Sequence, residues 1–214
     1  MLAEYYRKRA KEYGALYTTA AWQAELPILR DWLVSRVRGR TILEVAAGTG
    51  YWTAVAAPVA KAMTVTDINL EMLAAASARK LGAHVKLVRA DCRLLPHFPD
   101  AFDVGMAHLW WSHIPIQDRG GFLRHFASRL QRCASLLMID QNHVPGFGMP
   151  IGRRDVAGNS YQTRWLESGE RFEIVKNYPD AGELEQSVGA VCENVDILRL
   201  THFWALSATF RAVF

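Results

Sequence analysis

The feature that most constrains the fold is a regular alternation of short β-rich segments and helical segments. The β-rich segments cover residues 41–46, 63–67, 84–91, 102–108 and 135–140. Helical patterns follow at residues 51–57, 70–81 and 118–131. Strands and helices that alternate at this spacing predict a parallel sheet with helices on both faces, which is an α/β fold.

The two ends of the chain depart from this alternation. Residues 2 to about 37 have helical spacing, and Pro27 is expected to open a second helix at its first turn. Residues 159–166 and 171–178 flank a short polar turn, as in a β-hairpin. A helix at 181–191 and strands at 195–200 and 204–210 are expected to follow. The sequence therefore predicts one domain, 1–214, with N-terminal helices (1–38), a core (41–142), a hairpin insertion (143–179) and a C-terminal helix with strands (180–214).

Composition narrows the class of protein. Half of the 214 residues are hydrophobic and 21% are charged, which is enough apolar surface for a packed core. The formal charge is +4, without a run of basic residues, so we expect no nucleic-acid partner. The three cysteines are widely spaced, which suits a reducing cytoplasm and gives no metal motif. The sequence shows no export signal or membrane span, and it leaves the oligomeric state open.

Two glycines and three acids mark a nucleotide site. Gly48 and Gly50 follow the first β-rich segment, where ligands bind open α/β sheets. Asp67 ends the second segment, where a carboxylate can accept hydrogen bonds from ribose hydroxyls. Asp91 ends the third, within reach of an adenine amino group, and Glu44 lies inside the first. Capping and turn roles explain Asp67 or Asp91 individually, but not all three acids together with the loop.

The motifs ILEVAAGTGYWT, TVTDIN, RADCRLLP and FDVGMAHLWWSHIP resemble the successive motifs of class I methyltransferases that use S-adenosylmethionine (SAM). The resemblance covers about residues 41–142. It implies SAM as the cofactor and a Rossmann-like, seven-stranded, mostly parallel sheet of order 3-2-1-4-5-7-6, with the last strand antiparallel. Ala46 stands where the family often has its first loop glycine.

The N-terminal YYRKRAKEY and the later RFEIVKNY are similar to a bacterial subgroup that includes a phosphonate O-methyltransferase of natural-product biosynthesis. This similarity implies a helical lid over SAM, although packing alone would also explain aromatic residues on that helix. The residues expected to contact the cofactor are Tyr6, Arg9, Tyr13, Glu44, Ala46, Gly48, Gly50, Trp52, Asp67, Ile68, Met72, Asp91, Cys92 and His108.

The acceptor site is predicted from fewer signals. His113 follows the fourth β-rich segment and could act as a base or an orienting donor, or could simply cap a helix. Trp110 could line the acceptor pocket or the core. Arg164 and Lys176, with Tyr161 nearby, match cationic positions of the phosphonate-methylating subgroup and would suit an anionic acceptor, although hairpin cations are often merely solvated.

The sequence thus predicts a cytoplasmic SAM-dependent methyltransferase for a small molecule, with an oxygen of an acidic compound (carboxylate, phosphonate or hydroxyl) as acceptor. In-line transfer from an activated sulfonium requires positioning but no metal. Two alternatives remain open: N-methylation of an amine or peptide terminus, and SAM binding without catalysis by a sensor or partner. RNA methylation ranks behind these because the chain has no basic recognition appendage.

Overall fold

Seven strands form the main sheet of the computed structural model, which describes residues 1–212. The strands of this sheet are β1 (Thr41–Glu44), β2 (Ala62–Asp67), β3 (Val85–Arg89), β4 (Val104–His108), β5 (Ser135–Gln141), β9 (Cys192–Arg199) and β10 (Phe203–Phe210). Their order is β3-β2-β1-β4-β5-β10-β9. Strands β1 to β5 pair in parallel, while β10 is antiparallel to both of its neighbours. The predicted fold class and strand order are confirmed.

Alternating side chains explain why helices cover both faces of this sheet. On β5, Leu136 and Met138 belong to one apolar cluster, whereas Leu137 and Ile139 belong to another on the opposite face. All four side chains are almost completely buried. The helices are α1 (Leu2–Arg9), α2 (Leu26–Val37), α3 (Tyr51–Ala56), α4 (Leu70–Ser77), α5 (Arg119–Ala127) and α6 (Ala181–Gly189).

The N-terminal segment is less regular than its spacing predicts. Helix α1 ends at Arg9, and two short 3-10 turns, Tyr13–Thr18 and Ala20–Trp22, precede α2. The hydroxyl of Thr19 donates to the Leu16 carbonyl at 2.7 Å, and its own backbone is extended (ψ 119°). Such side-chain bonds compete with the helix, so the predicted continuous pattern is interrupted here. Pro27 does lie in the first turn of α2, as expected.

The insertion forms a separate small sheet after β5. It contains β6 (Arg153–Arg154), β7 (Ser160–Trp165) and β8 (Arg171–Val175), all antiparallel. The pair β7–β8 is the predicted hairpin, and β6 adds an edge strand that the sequence did not indicate. Among the helices of residues 1–212, none has the length and apolar character needed to span a bilayer.

Candidate active site

The loop after β1 has an unusual backbone. Ala46, Gly48 and Gly50 all have positive φ, at 51°, 57° and 71°. Glycine adopts this region freely, but alanine does so at a cost of about 1–2 kcal/mol. The left-handed turn at Ala46 ends β1 at Glu44, earlier than the sequence pattern suggests. A strained residue at the carboxyl end of a parallel strand marks this loop as a candidate binding element.

A first cavity lies along the carboxyl ends of β1, β2, β3 and β4. It has a volume of about 150 Å³. Its predicted lining residues are Tyr6, Tyr13, Glu44, Ala46, Gly48, Trp52, Asp67, Ile68, Met72, Asp91, Cys92, His108, Trp110 and His113. The structure therefore brings together residues from five separate chain segments at the edge where ligands bind α/β sheets.

Asp67 is held in place by two backbone amides. One carboxylate oxygen accepts from the Gly48 N–H at 2.9 Å, and the other accepts from the Asn69 N–H at 2.9 Å. Burial raises the pKa of this carboxyl, against the lowering effect of those amides. Each carboxylate oxygen keeps a further lone pair, so Asp67 can accept from a pair of hydroxyl groups while fixing the loop.

Glu44 is a buried acid at the end of β1. Its carboxyl group accepts a hydrogen bond from the Thr53 hydroxyl at 2.6 Å. Burial raises its pKa to about 8, with Asp67 adding to the effect and Thr53 opposing it. A buried carboxyl with one neutral partner is suited to receive a cationic group from a ligand, which would provide the missing charge.

His108 supports the same conclusion. Its side chain lines the first cavity, 5.6 Å from the Trp52 ring between centroids, and neither ring nitrogen has a hydrogen-bond partner among the described residues. Burial lowers its pKa to about 3, so the ring is neutral. Buried polar atoms rarely lack partners, and here a bound ligand would supply them. The acids, the apolar side chains and this unpartnered histidine together fit SAM.

Helix α1 covers the first cavity. The Asn69 side-chain amide donates to the Ala3 carbonyl at 3.0 Å, which joins α1 to the start of α4. The Tyr6 and Tyr13 rings meet edge to face at 5.7 Å, and both side chains line the cavity. The helical lid implied by the sequence resemblance therefore lies directly over the predicted cofactor residues.

A second cavity of about 210 Å³ adjoins the first. Four residues line both: Tyr6, Tyr13, Leu109 and His113. We refer to these four as the shared wall. Leu109 also has a positive φ of 52°, which is unfavourable for its side chain. A ligand in the first cavity and a ligand in the second cavity would meet at this wall.

His113 is fixed within the shared wall by two hydrogen bonds. Its Nδ1 lies 2.7 Å from the Val175 carbonyl, and its Nε2 lies 2.7 Å from the Tyr6 hydroxyl. Because a carbonyl can only accept, Nδ1 carries the proton, and Nε2 accepts from Tyr6. Burial, reinforced by the charge of Lys176, lowers the pKa of His113 to about 3. The ring is therefore a neutral, fully engaged group, which favours a positioning role over that of a base.

Lys176 directly follows β8 and is part of a buried ion pair. Its ammonium donates to the Ser112 hydroxyl at 2.7 Å and to Asp140 at 3.3 Å. Asp140 also accepts from the Ser112 and Gln141 amides, both at 2.8 Å. Burial raises the pKa of Asp140, but Lys176 and these amides outweigh it and lower the pKa overall. The ammonium has a third N–H, and the side chain lines the second cavity.

Arg164 is the less engaged cation. One guanidinium nitrogen donates to the Gln162 side chain at 2.6 Å, while the buried Nε has no hydrogen-bond partner among residues 1–212. Within the described chain, Arg164 forms no salt bridge with a carboxylate. It lines the second cavity together with Arg9 and Lys176, and no aspartate or glutamate of the described residues lines it.

Four predicted residues lie away from their expected positions. One is Trp110, which was expected in the acceptor pocket but lines the first cavity and not the second. Tyr161 lines neither cavity, because its hydroxyl donates to Asp155 at 2.9 Å and the Arg153 guanidinium covers its ring at 3.7 Å. Adjacent residues of a strand point to opposite faces, so Tyr161 and Arg164 of β7 cannot face the same cavity.

Arg9 lines the second cavity and not the first, where contact with the cofactor was expected, and its guanidinium donates to the Tyr5 hydroxyl at 2.8 Å. Gly50 also does not line the first cavity. A Cβ atom at Gly50 would lie only 2.8 Å from the Cβ of Ala76, so this glycine permits the close approach of α4.

The sequence analysis missed several lining residues. In the first cavity these include Tyr17 and Asn69, and in the second they include Trp22, Gln141 and Asn142. Gln141 and Asn142 stand at the carboxyl end of β5, so the reasoning that identified Asp67 would have found them. Trp22 gives no local signal, because its position depends on how the N-terminal segment packs against β10.

Comparisons with known proteins agree with this geometry. Residues 42–132 match the methyltransferase domain family. A complex of DhpI with S-adenosylhomocysteine (SAH) is 24% identical, with a TM-score of 0.77 over 98% of this chain and 95% of that one. A complex of DhpI with SAM and HEP is 26% identical, with a TM-score of 0.75 over 95% and 94%. Among curated proteins, no sequence matches significantly.

CalS10 from Micromonospora echinaspora, an amino pentose methyltransferase involved in calicheamicin biosynthesis, was solved with bound SAM. It is 17% identical, with a TM-score of 0.64 over 92% of this chain and 96% of that chain. The sheet order defines a Rossmann-like fold with a cavity at the carboxyl edge of the sheet. Residues 42–132 thus match a methyltransferase domain, and the fold of the chain is similar to that of solved methyltransferases with bound SAM or SAH.

Proposed function

We propose that the protein transfers the methyl group of SAM to an oxygen of a small organic acid bound in the second cavity. The observation that carries this proposal is the charge of that cavity. Among residues 1–212, its lining includes Arg9, Arg164 and Lys176 but no acidic residue, and it meets the first cavity at the shared wall. Guanidinium and ammonium groups in a partly desolvated cavity select carboxylates and phosphonates.

The cofactor residues have distinct proposed roles. Asp67 accepts from the ribose hydroxyls, Asp91 accepts from the adenine amino group, and Glu44 faces the ammonium group of the methionine part. Met72 and Ile68 provide apolar contacts in the same cavity. Since Asp67 also holds the Gly48 amide at 2.9 Å, it couples the cofactor to the conformation of the loop.

SAM supplies a methyl group that its sulfonium has already activated. The acceptor oxygen forms the new O–CH3 bond as the S–CH3 bond breaks, and the electron pair of the broken bond goes to sulfur. An ionised acid releases no proton in this step, so no base is required. The work of the protein is to align the acceptor and exclude water, and we assign this to the shared wall, where Tyr13, Leu109 and His113 are buried.

His113 is proposed as a positioning residue in this scheme. It is neutral, and both of its nitrogens are occupied by Tyr6 and Val175. Through these two hydrogen bonds, His113 of the loop after β4 connects the N-terminal lid with the hairpin. We propose that this connection holds the three elements around the reacting atoms. An amine acceptor would fit this cavity poorly, because the cations that line it repel an ammonium group.

A panel of phosphonates, carboxylates, phenols and amines, assayed for SAH formation, tests the proposal. We expect turnover with acids, and we expect Arg164→Gln to raise KM for the acid at least tenfold without weakening SAM binding. The matched control is Arg153→Gln, which changes a cation of the same small sheet that pairs with Glu173 outside both cavities. Turnover with amines alone would refute the proposal that the acceptor is an acid. SAM binding without any turnover would indicate a sensor.

A further inference from the structure

The second cavity has two chemically different walls. The cationic wall comes from the hairpin and the residues after it: Arg164, Lys176 and Tyr178. The apolar wall comes from the N-terminal segment and the loop after β5, and its members are Leu16, Trp22, Val144, Phe147 and Met149. The N-terminal segment also contributes Arg9, the third cation of the cavity. A small hydrophilic anion would use only the first of these walls.

The cationic wall lies next to the shared wall. The Val175 carbonyl accepts from His113, and the next residue, Lys176, donates to the Ser112 hydroxyl at 2.7 Å. Ser112 and His113 are themselves neighbours after β4. Because His113 lines both cavities, an acid group held by Lys176 is beside the point where the methyl group is delivered.

The aromatic part of the apolar wall lies near the start of β10, two strands away from β4 and the shared wall. The Phe147 ring lies 4.9 Å from the His202 ring, and the Trp22 ring lies 4.9 Å from that of Phe203, at the start of β10. In the sheet β5 separates β10 from β4, whose end leads into the shared wall. Two strand spacings correspond to roughly 10 Å. This distance, from the shared wall to the aromatic part of the apolar wall at Trp22 and Phe147, leaves room for an aryl group or a chain of several carbons.

The apolar wall is also partly uncovered. Phe147 and Met149 are each 37% exposed, although both line the cavity. Apolar surface gains free energy when it leaves water, in proportion to the area covered. A ligand with an apolar body would cover these side chains, whereas a small anion would leave them in contact with water.

We propose that the methyl acceptor is an amphipathic organic acid, whose acid group lies beside Arg164 and Lys176 and whose apolar body packs against Trp22 and Phe147. This inference rests on the proposed function and narrows its substrate class. The transfer converts one acid oxygen into a methyl ester. The acid thereby loses one negative charge, its electron pair forms the O–CH3 bond, and the sulfonium becomes a neutral thioether.

The test is a series of n-alkyl carboxylates and n-alkyl phosphonates, from one carbon to about eight, with phenyl and benzyl members. Methyl transfer is followed by SAH formation, and kcat/KM is measured for each acid with the wild-type protein. We expect kcat/KM to rise about fourfold for each methylene that reaches the apolar wall, and then to level off when the cavity is filled.

Variants of the apolar wall complete the experiment. Phe147→Ser and Met149→Ser change partly exposed loop residues, which avoids the folding risk of replacing Trp22, of which only 4% is exposed. Each should reduce the ratio of kcat/KM between the longest and shortest acids by about tenfold. Ile28→Ser is the control, because Ile28 is a 46% exposed apolar side chain on α2 that lines neither cavity.

The outcomes separate this inference from the proposed function. If acids are methylated but kcat/KM does not depend on chain length, or if neither loop variant changes the ratio, the apolar wall is not a substrate site and the acid preference still stands. If no acid is methylated by the wild-type protein while an amine or phenol is, the proposed function itself fails, and this inference fails with it.

Discussion

Glu44→Gln should remove a pH dependence of cofactor binding that the buried carboxyl imposes on the wild-type protein. The pKa of Glu44 is raised to about 8 by burial, so at about pH 6 only about one molecule in a hundred carries the ionised form. If Glu44 faces the cofactor's ammonium group, the complex holds the ionised form. Binding at about pH 6 must then release about one proton per cofactor.

The size of the effect on affinity follows from the two titrating groups. Affinity requires ionised Glu44 together with a protonated ligand amine, whose ordinary pKa is about 7.7–8.0. The product of these two populations falls about 20-fold between about pH 8 and about pH 6, so cofactor affinity should fall by that factor. Affinity falls toward low pH because the raised pKa leaves the Glu44 carboxyl protonated and neutral there. His108 and His113 do not contribute, since both have a pKa of about 3 and stay neutral over this range.

Isothermal titration calorimetry with SAH, in two buffers of different ionisation enthalpy, measures the protons directly. The wild-type protein should release about one proton at about pH 6, and Glu44→Gln should release almost none. Glu25→Gln is the control, because Glu25 is another buried glutamate but binds His202 outside the first cavity. Equal proton release by wild type and Glu44→Gln would refute the assigned role of Glu44.

Three further substitutions test the site and its support. Asp67→Ala should lower SAH affinity by about fivefold or more, about 1–3 kcal/mol, in the same calorimeter, and an unchanged affinity would exclude ribose binding by this residue. Gly50→Ala should lower the free energy of unfolding by about 2 kcal/mol in a urea titration, since φ is +71° and the new Cβ would lie 2.8 Å from that of Ala76. Lys176→Met should cost about 3 kcal/mol by the same measurement, because Asp140 stays buried without its cation, and a neutral result would show that the pair contributes no stability.

Much of the fold could be predicted because its signals are local. The alternation of β and α segments fixed the sheet, and acids at strand ends such as Asp67 and Asp91 were predicted with it. The two-residue period of a strand also predicts which side chains share a face. Tyr161 and Arg164 are an odd number of residues apart on β7, so they point to opposite faces, and only Arg164 reaches the second cavity.

The remainder of the site depends on packing between distant segments. Trp22 and Phe147 reach the second cavity because the N-terminal segment and the loop after β5 both pack near the start of β10. No spacing in the sequence indicates that approach. The raised pKa of Glu44 is also a tertiary property, because it comes mainly from burial of the carboxyl group in the folded chain.

The shared wall restricts how this protein can acquire new substrates during evolution. Tyr6, Tyr13, Leu109 and His113 line both cavities, so a mutation there that admits a different acceptor would also alter the first cavity, which we propose holds SAM. Phe147 and Arg164 line the second cavity alone. Natural variation in acceptor choice should therefore accumulate at the outer two walls, while the four residues between the cavities change rarely and together.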